Sequence, residues 1–421
     1  MVFDQITLKN GLRLVGERIP HVRSCTVGVW VKVGSMNEQP EENGLSHLIE
    51  HMVFKGTEKR TARGIAEEMD AVGGQLNAFT GKDCTCYYAK VMDEDLPLAV
   101  DILSDLALHP VFSAEELQKE RGVVLEEIAM AEDSPEDLVH ELLCEAQYTG
   151  SLQYPILGTA ARLRKYQLEE LVDYWTRHYV PENMVLAIAG HYDWDAFVAL
   201  AEEYMGNMGK TGTESSAENA PKNPQGIQSE RKAREKDTEQ LHVCMGYPGV
   251  ALGESDQYPL AVFNNAFGGG MSSRLFQRIR EELGMAYSIY TYPSSHPGSG
   301  VFNLYVGTNP ENAETVMREI QAQMDLLISA GLTEKEFTSA RAQLRTGFVL
   351  GLESSSGRMQ SLGRNMLLLD RLMSPEEQLS KIDRVTHEDV LRVGKWVLGA
   401  KPSAAIVGKN AKHYLTMIGG K

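Results

Sequence analysis

The sequence has no apolar run approaching the roughly 18 to 20 residues of a membrane-spanning helix. It is poor in cysteine. Cys25, Cys84, Cys86, Cys144 and Cys244 are an odd number at low density, with no CxxC pair. That argues against a disulfide framework and a thiolate metal site, and for buried thiols in a reducing compartment. It is also short of positive charge: 41 Lys and Arg face 58 Asp and Glu, a formal net charge of -17. A nucleic-acid or anionic-membrane surface needs clustered cations, so neither partner is expected. Neutral or basic peptides are compatible with this balance, and so is plain solubility. Residues 1–8 lack a basic stretch followed by an apolar one, and Arg-rich transit character is missing too. The expectation is a cytoplasmic chain without a leader.

The 421 residues, 43% hydrophobic and 24% charged, suit a soluble globular protein of two domains or of one unusually large one. Strands are expected at 11–15 and 25–33, rich in β-branched residues, with Asn10-Gly11 as a hairpin-type turn. A helix follows near 44–54 with Asn43 as its N-cap, then a helix over 61–72, a Gly73-Gly74 turn and an extended stretch over 76–91. Long helices are expected over 96–108 and from Ser113, which forms a capping box with Glu116, to about 131. More helix runs to about Gln147, and a strand over 183–190 leads into the last helix of this half. Composition then shifts to Gly, Ser, Asn, Pro and charge, which reads as a linker over 207–236. The expected domains are 1–206 and 237–421.

The second half repeats the order of elements of the first. Ser113-Ala114-Glu115-Glu116 matches Thr333-Glu334-Lys335-Glu336 at an offset of 220 (333 minus 113), and Arg121 then meets Arg341. At that offset His47, Glu50, His51 and Glu127 fall on Phe267, Gly270, Met271 and Gly347, none of them a zinc ligand. Only the first half would carry chemistry.

That chemistry lies in His47-Leu48-Ile49-Glu50-His51. Spacings of three and four place His47, Glu50 and His51 on one helix face. Two imidazoles at i and i+4 can share one tetrahedral metal, and the carboxylate between them can reach a metal-bound water without ligating. Such a water has its pKa lowered to about 7, and a carboxylate can take its proton during attack on a carbonyl. Two surface histidines beside a glutamate are the bland alternative, but Leu45, Leu48, Ile49, Met52 and Phe54 argue against full exposure. A third ligand is sought among Glu115, Glu116, Glu120, Glu126, Glu127 and Glu132. Glu120 and Glu127, seven apart, share a face. One could meet the metal and the other hold an imidazole. Spacing leaves Glu126 and Glu127 undecided.

The segment from Gly44 to Thr57 closely resembles the active helix of the pitrilysin and insulinase-like zinc metallopeptidases, nearest to the mitochondrial processing peptidase-like bacterial enzymes. The resemblance covers nearly the whole chain. It implies Glu127 as third ligand, 76 positions after His51, and Glu120 as an acidic neighbour that holds a ligand instead of the metal. Ser46 stands where many members have alanine. Asn77-Ala78-Phe79-Thr80 is similar to the family's edge strand that pairs with substrate. Arg280 and Tyr287 match an Arg and Tyr that hold substrate from the second domain. The glycine-rich 267–273 segment is family-like as well. It lacks the Lys-Ser/Thr of a phosphate loop.

The implied fold is α+β: two duplicated domains of similar topology, each a mostly antiparallel sheet with helices packed on one face. The implied function is a zinc-dependent endopeptidase with Glu50 as general base, acting as a homodimer on extended oligopeptides or unfolded, presequence-like chains. A non-catalytic scaffold subunit of the same fold is the alternative. Such subunits typically lose part of the metal motif, which here is complete.

Overall fold

A computed structural model describes residues 3–209 and 226–418. Two compact units emerge, and neither is one continuous stretch. The first comprises Met1–Ile128, Tyr154–Lys222 and Leu350–Pro375; the second comprises Ala129–Gln153, Asn223–Val349 and Glu376–Lys421. The expected division at 206 and 237 follows the sequence. The compact units depart from it by exchanging one segment in each direction.

The first unit is built on a six-stranded sheet. Its strands are β1 (Asp4–Thr7), β2 (Arg13–Arg18), β3 (Ser24–Val31), β4 (Gln75–Thr80), β5 (Thr85–Met92) and β7 (Met184–Gly190), in the order β1-β2-β7-β3-β5-β4. Every neighbouring pair is antiparallel except β2 with β7. The Asn10-Gly11 turn joins β1 to β2, with Gly11 at φ 102° and Leu12 N donating to Asn10 Oδ1. β3 and β7 read as near-continuous apolar runs because both faces of the sheet centre are covered.

One face carries α1 (Leu45–Val53), α2 (Ala62–Ala71), α3 (Leu96–Leu108), the first part of α4 (Ala114–Asp133), and helices Leu168–His178 and Trp194–Met205. The helix Ser355–Leu369, from late in the chain, covers the other face. Its Met359, Leu362, Met366 and Leu367 pack on Val15, Trp30, Val185 and Ala187. Thr26 Oγ1 bonds Ser355 Oγ at 2.9 Å, and Arg358 pairs with the buried Glu17.

The second unit holds β9 (Arg231–Glu235), β10 (Leu241–Pro248), β11 (Ala286–His296), β12 (Ser299–Thr308) and β13 (Ser403–Gly408), in the order β11-β12-β10-β13-β9. That matches β4-β5-β3-β7-β2 strand for strand, and the parallel pair again lies between the last two. A short pair, β6 (Tyr148–Thr149) with β8 (Gly226–Ile227), lies apart from the main sheet. One face bears helices Gln257–Phe267, Ala313–Ala330 and His387–Leu398. The other is covered by α5 (Pro135–Gln147), whose Val139, Leu142 and Leu143 meet Cys244, Tyr305, Ala405 and Val407. α5 and helix Ser355–Leu369 hold equivalent places in the repeat, and each covers a sheet whose strands come from the opposite half of the chain.

The duplication is also visible in detail. Glu116 N donates to Ser113 Oγ and Glu336 N to Thr333 Oγ1, both at 3.2 Å. Arg121 donates to the Tyr166 carbonyl and Arg341 to that of Val385. The uniform offset of 220 needs correction nearer the motif. The counterpart of α1 is helix Gln257–Phe267, which starts 212 residues later (257 minus 45). Gly270 and Met271 lie beyond its end and are not the structural partners of Glu50 and His51.

The linker also needs correction. Residues 210–225 lie outside the described residues, but 226–227 and 231–235 are strands. β9 reads Arg-Lys-Ala-Arg-Glu and shows no apolar alternation, because it is an edge strand with charged, half-exposed side chains.

Candidate metal centre

α1 does not begin with the expected cap. Its N-cap is Gly44, at φ 96°, and Asn43 instead donates its side chain to Glu38 and to the Pro155 carbonyl. A side chain at position 44 would be strained at this φ, and its Cβ would lie 2.8 Å from Gly158 Cα. Leu45, Leu48, Ile49, Met52 and Val53 are buried in the core, which turns the polar stripe His47, Glu50 and His51 outward on the opposite face.

α4 lies opposite that stripe. Burial of Leu117, Val124 and Ile128 sets its rotation. Glu126 is then exposed, while Glu127 is half-buried and turned to α1. Glu127 Oε2 lies 3.7 Å from His47 Nε2 and 3.6 Å from His51 Nε2. Ligand atoms around a tetrahedral zinc, with bonds of roughly 2.0 to 2.1 Å, stand about 3.3 Å apart, so the donor set fits that ion with a few tenths of an ångström of adjustment. Among the described residues these three form the sole group of His, Cys, Asp or Glu placed to share a metal, with all donor atoms within 4.8 Å.

The surroundings prepare the donors. Burial, helped by the neighbouring His51, lowers the His47 pKa to about 4, so the ring is neutral and able to ligate. Its Nδ1 is buried without a hydrogen-bond partner among the described residues. His51 Nδ1 lies 3.1 Å from Glu120 Oε2, which leaves Nε2 for a metal. Glu120 is buried, and its other oxygen receives Lys55 Nζ at 2.8 Å. Glu50 has its pKa raised chiefly by burial, opposed by a short hydrogen bond from Thr80 Oγ1.

The insulinase (peptidase family M16) model matches residues 13–160, and the M16 inactive-domain model matches 165–344. An uncharacterized zinc protease of Bacillus subtilis is 42% identical over 92% of this chain and 94% of its own length. The chain belongs to peptidase family M16. A Streptomyces coelicolor relative, also named an uncharacterized zinc protease, is 40% identical over 96% of this chain and 88% of its own. In fold, the family member superposes on a protease from Helicobacter pylori with a TM-score of 0.90, at 22% identity over 97% of this chain and 99% of that one.

The other residues singled out in this M16 chain fall in two places. β4 is an edge strand, paired only with β5 among the described residues. Asn77 is exposed, Phe79 packs edge-on against Trp30, and the Thr80 hydroxyl is committed to Glu50. Arg280 and Tyr287 belong to the second unit, on a π-helix (Phe276–Glu282) and on β11. The Arg280 guanidinium sits between the Phe276 and Tyr287 rings, 4.8 and 4.6 Å from their centroids. They border a cleft of about 390 Å³ that also includes Met285, Asn309 and Asn312.

Three contributors escaped the sequence reading. Lys55 was legible in principle, one helical turn beyond His51. Thr80 signals in the sequence only its place on an extended strand. Glu38 carries no local signal at all.

Proposed function

We propose that this M16 protein is a zinc-dependent endopeptidase with His47, His51 and Glu127 as ligands and Glu50 as general base. The observation that carries the reading is the convergence of two Nε2 atoms on one Glu127 oxygen, with Glu50 on the same helix face. Bound zinc supplies an electrophilic centre that acidifies water at neutral pH. Glu120 fixes the His51 ring through Nδ1, and Lys55 balances the Glu120 charge. Thr80 holds Glu50 at Oε2 and leaves Oε1 to receive the proton of the attacking water and return it to the leaving amine. The edge of β4, unpaired on one side among the described residues, suits an extended peptide added as a further strand. In the second unit, Arg280 offers donors for a peptide carbonyl, with Tyr287 beside it. The same reading has the enzyme act as a cytoplasmic homodimer on oligopeptides or unfolded, presequence-like chains. No helix among the described residues is long and apolar enough to cross a membrane.

Metal removal tests this directly. Dialysis against a chelator should abolish cleavage of extended fluorogenic peptides, and stoichiometric zinc should restore it. His51→Ala should copurify without zinc. Undiminished cleavage by metal-free protein, or stoichiometric zinc in His51→Ala, would remove the site from the reaction.

Thr80→Val should lower kcat about tenfold with zinc content unchanged, since one hydrogen bond to a charged group is lost. Thr80→Ser, which keeps the donor, should remain near wild type. If both variants behave alike, the hydroxyl does not orient Glu50.

A further inference from the structure

The metal helix starts at an unusual cap. No side chain at its own N-cap accepts its first N–H groups. The acceptor is Glu38, eight positions before Ser46. Glu38 Oε2 receives Gly44 N at 2.8 Å and Asn43 Nδ2 at 3.0 Å, and Oε1 receives Ser46 N at 2.9 Å. Glu38 as a whole is 2% exposed. Tyr174 OH meets Ser46 Oγ at 3.0 Å, and Tyr166 OH donates to the Asn43 carbonyl at 2.8 Å, so both flanks of the cap are held as well.

We propose that Glu38 is a positioning residue for the metal ligands: core packing sets the rotation of α1, and the buried Glu38 carboxylate fixes its first turn, which carries His47 toward Glu127. Ser46 N lies next to His47, so without the Glu38 acceptor the first turn has unsatisfied N–H groups and loosens, and His47 with it. A carboxylate suits the task because it accepts several N–H groups at once and lies at the positive end of the helix. Gln in its place presents an NH2 group toward one of those N–H donors. The Ser46 hydroxyl adds a bond to Tyr174 that an alanine at that position could not make. The proposal rests on the ligand assignment above and extends it to the element that aims the ligands.

The test measures zinc dissociation constants of the metal-free full-length protein by competition with a chromophoric chelator. Wild type, Glu38→Gln, Glu38→Asp and Val390→Ala are compared. Val390 is buried in the second unit and serves as a control for general destabilisation. Glu38→Gln should weaken zinc binding roughly tenfold or more and lower kcat with KM unchanged. Glu38→Asp, which keeps the carboxylate, should recover part of the affinity. Val390→Ala should lose thermal stability and bind zinc like wild type. Wild-type zinc affinity in folded Glu38→Gln would overturn the proposal, as would equal weakening in Val390→Ala at equal loss of Tm. Should Glu38→Gln not fold, Glu38→Asp decides: unchanged zinc affinity while the Gly44 and Ser46 amides exchange faster also overturns it. A wild type that binds no zinc sinks the ligand assignment itself and this proposal with it.

Discussion

Glu50→Gln is expected to keep stoichiometric zinc and to lose roughly 10²- to 10⁴-fold in peptide turnover, the range that a general base contributes. The substitution is close to isosteric. Glu50 is not one of the three converging donors, so the ligand set is untouched. Thr80 can donate to the amide oxygen as it does to the carboxylate. What an amide cannot do is accept the proton of the attacking water. The loss should therefore appear in kcat and kcat/KM together, because substrate binding does not depend on that proton. Burial raises the Glu50 pKa, which makes its carboxylate a better proton acceptor than an exposed one. Zinc content and kinetics on the same preparation decide the matter. Equal turnover in wild type and variant would defeat the mechanism, and loss of zinc would show that Glu50 is a ligand.

Gly363→Leu should destabilise the protein by about 3 kcal/mol, through overpacking in a closed layer. Gly363 lies on helix Ser355–Leu369 directly over Trp30. A Cβ built there would stand 2.1 Å from Trp30 Nε1. The indole has little room to yield. Phe79 packs on it edge-on, and its Nε1–H donates to Met359 Sδ at 3.3 Å. The helix must lift, which exposes Val15, Val185 and Ala187 beneath it. Gly347 is the control. It is also in a helix interior, but a Cβ there meets nothing within 4 Å. Gly347→Ala should be neutral or stabilising by up to about 1 kcal/mol, from helix propensity alone. Denaturant unfolding followed by circular dichroism measures both. A Gly363→Leu protein as stable as wild type would mean that this helix is not closely seated on the sheet.

The two expectations differ in how far the sequence alone could support them. Helical spacing was enough to place His47, Glu50 and His51 on one face, and the apolar neighbours at 45, 48, 49, 52 and 54 argued against its full exposure. Periodicity also placed β3, α3 and the two similarly capped long helices. It could not choose between Glu126 and Glu127, because both are one helix step from plausible. Tertiary packing chose: Val124 and Ile128 bury against the core, which turns Glu127 to the histidines and Glu126 to solvent.

The same limit explains the exchanged helices. The patterns of α5 and helix Ser355–Leu369 say that each has an apolar face. A hydrophobic pattern does not say which sheet that face will meet, and both sheets offer an apolar surface. β9 escaped notice because an edge strand does not need the alternation that marks a half-buried one. Glu38 escaped because a cap supplied from outside the helix obeys no helical spacing. Sequence determined the residue types of the candidate ligands, the common face of His47, Glu50 and His51, and the repeat. The fold decided which acid faces the two histidines, what covers each sheet and which carboxylate caps α1, because those depend on contacts between separate segments of the chain.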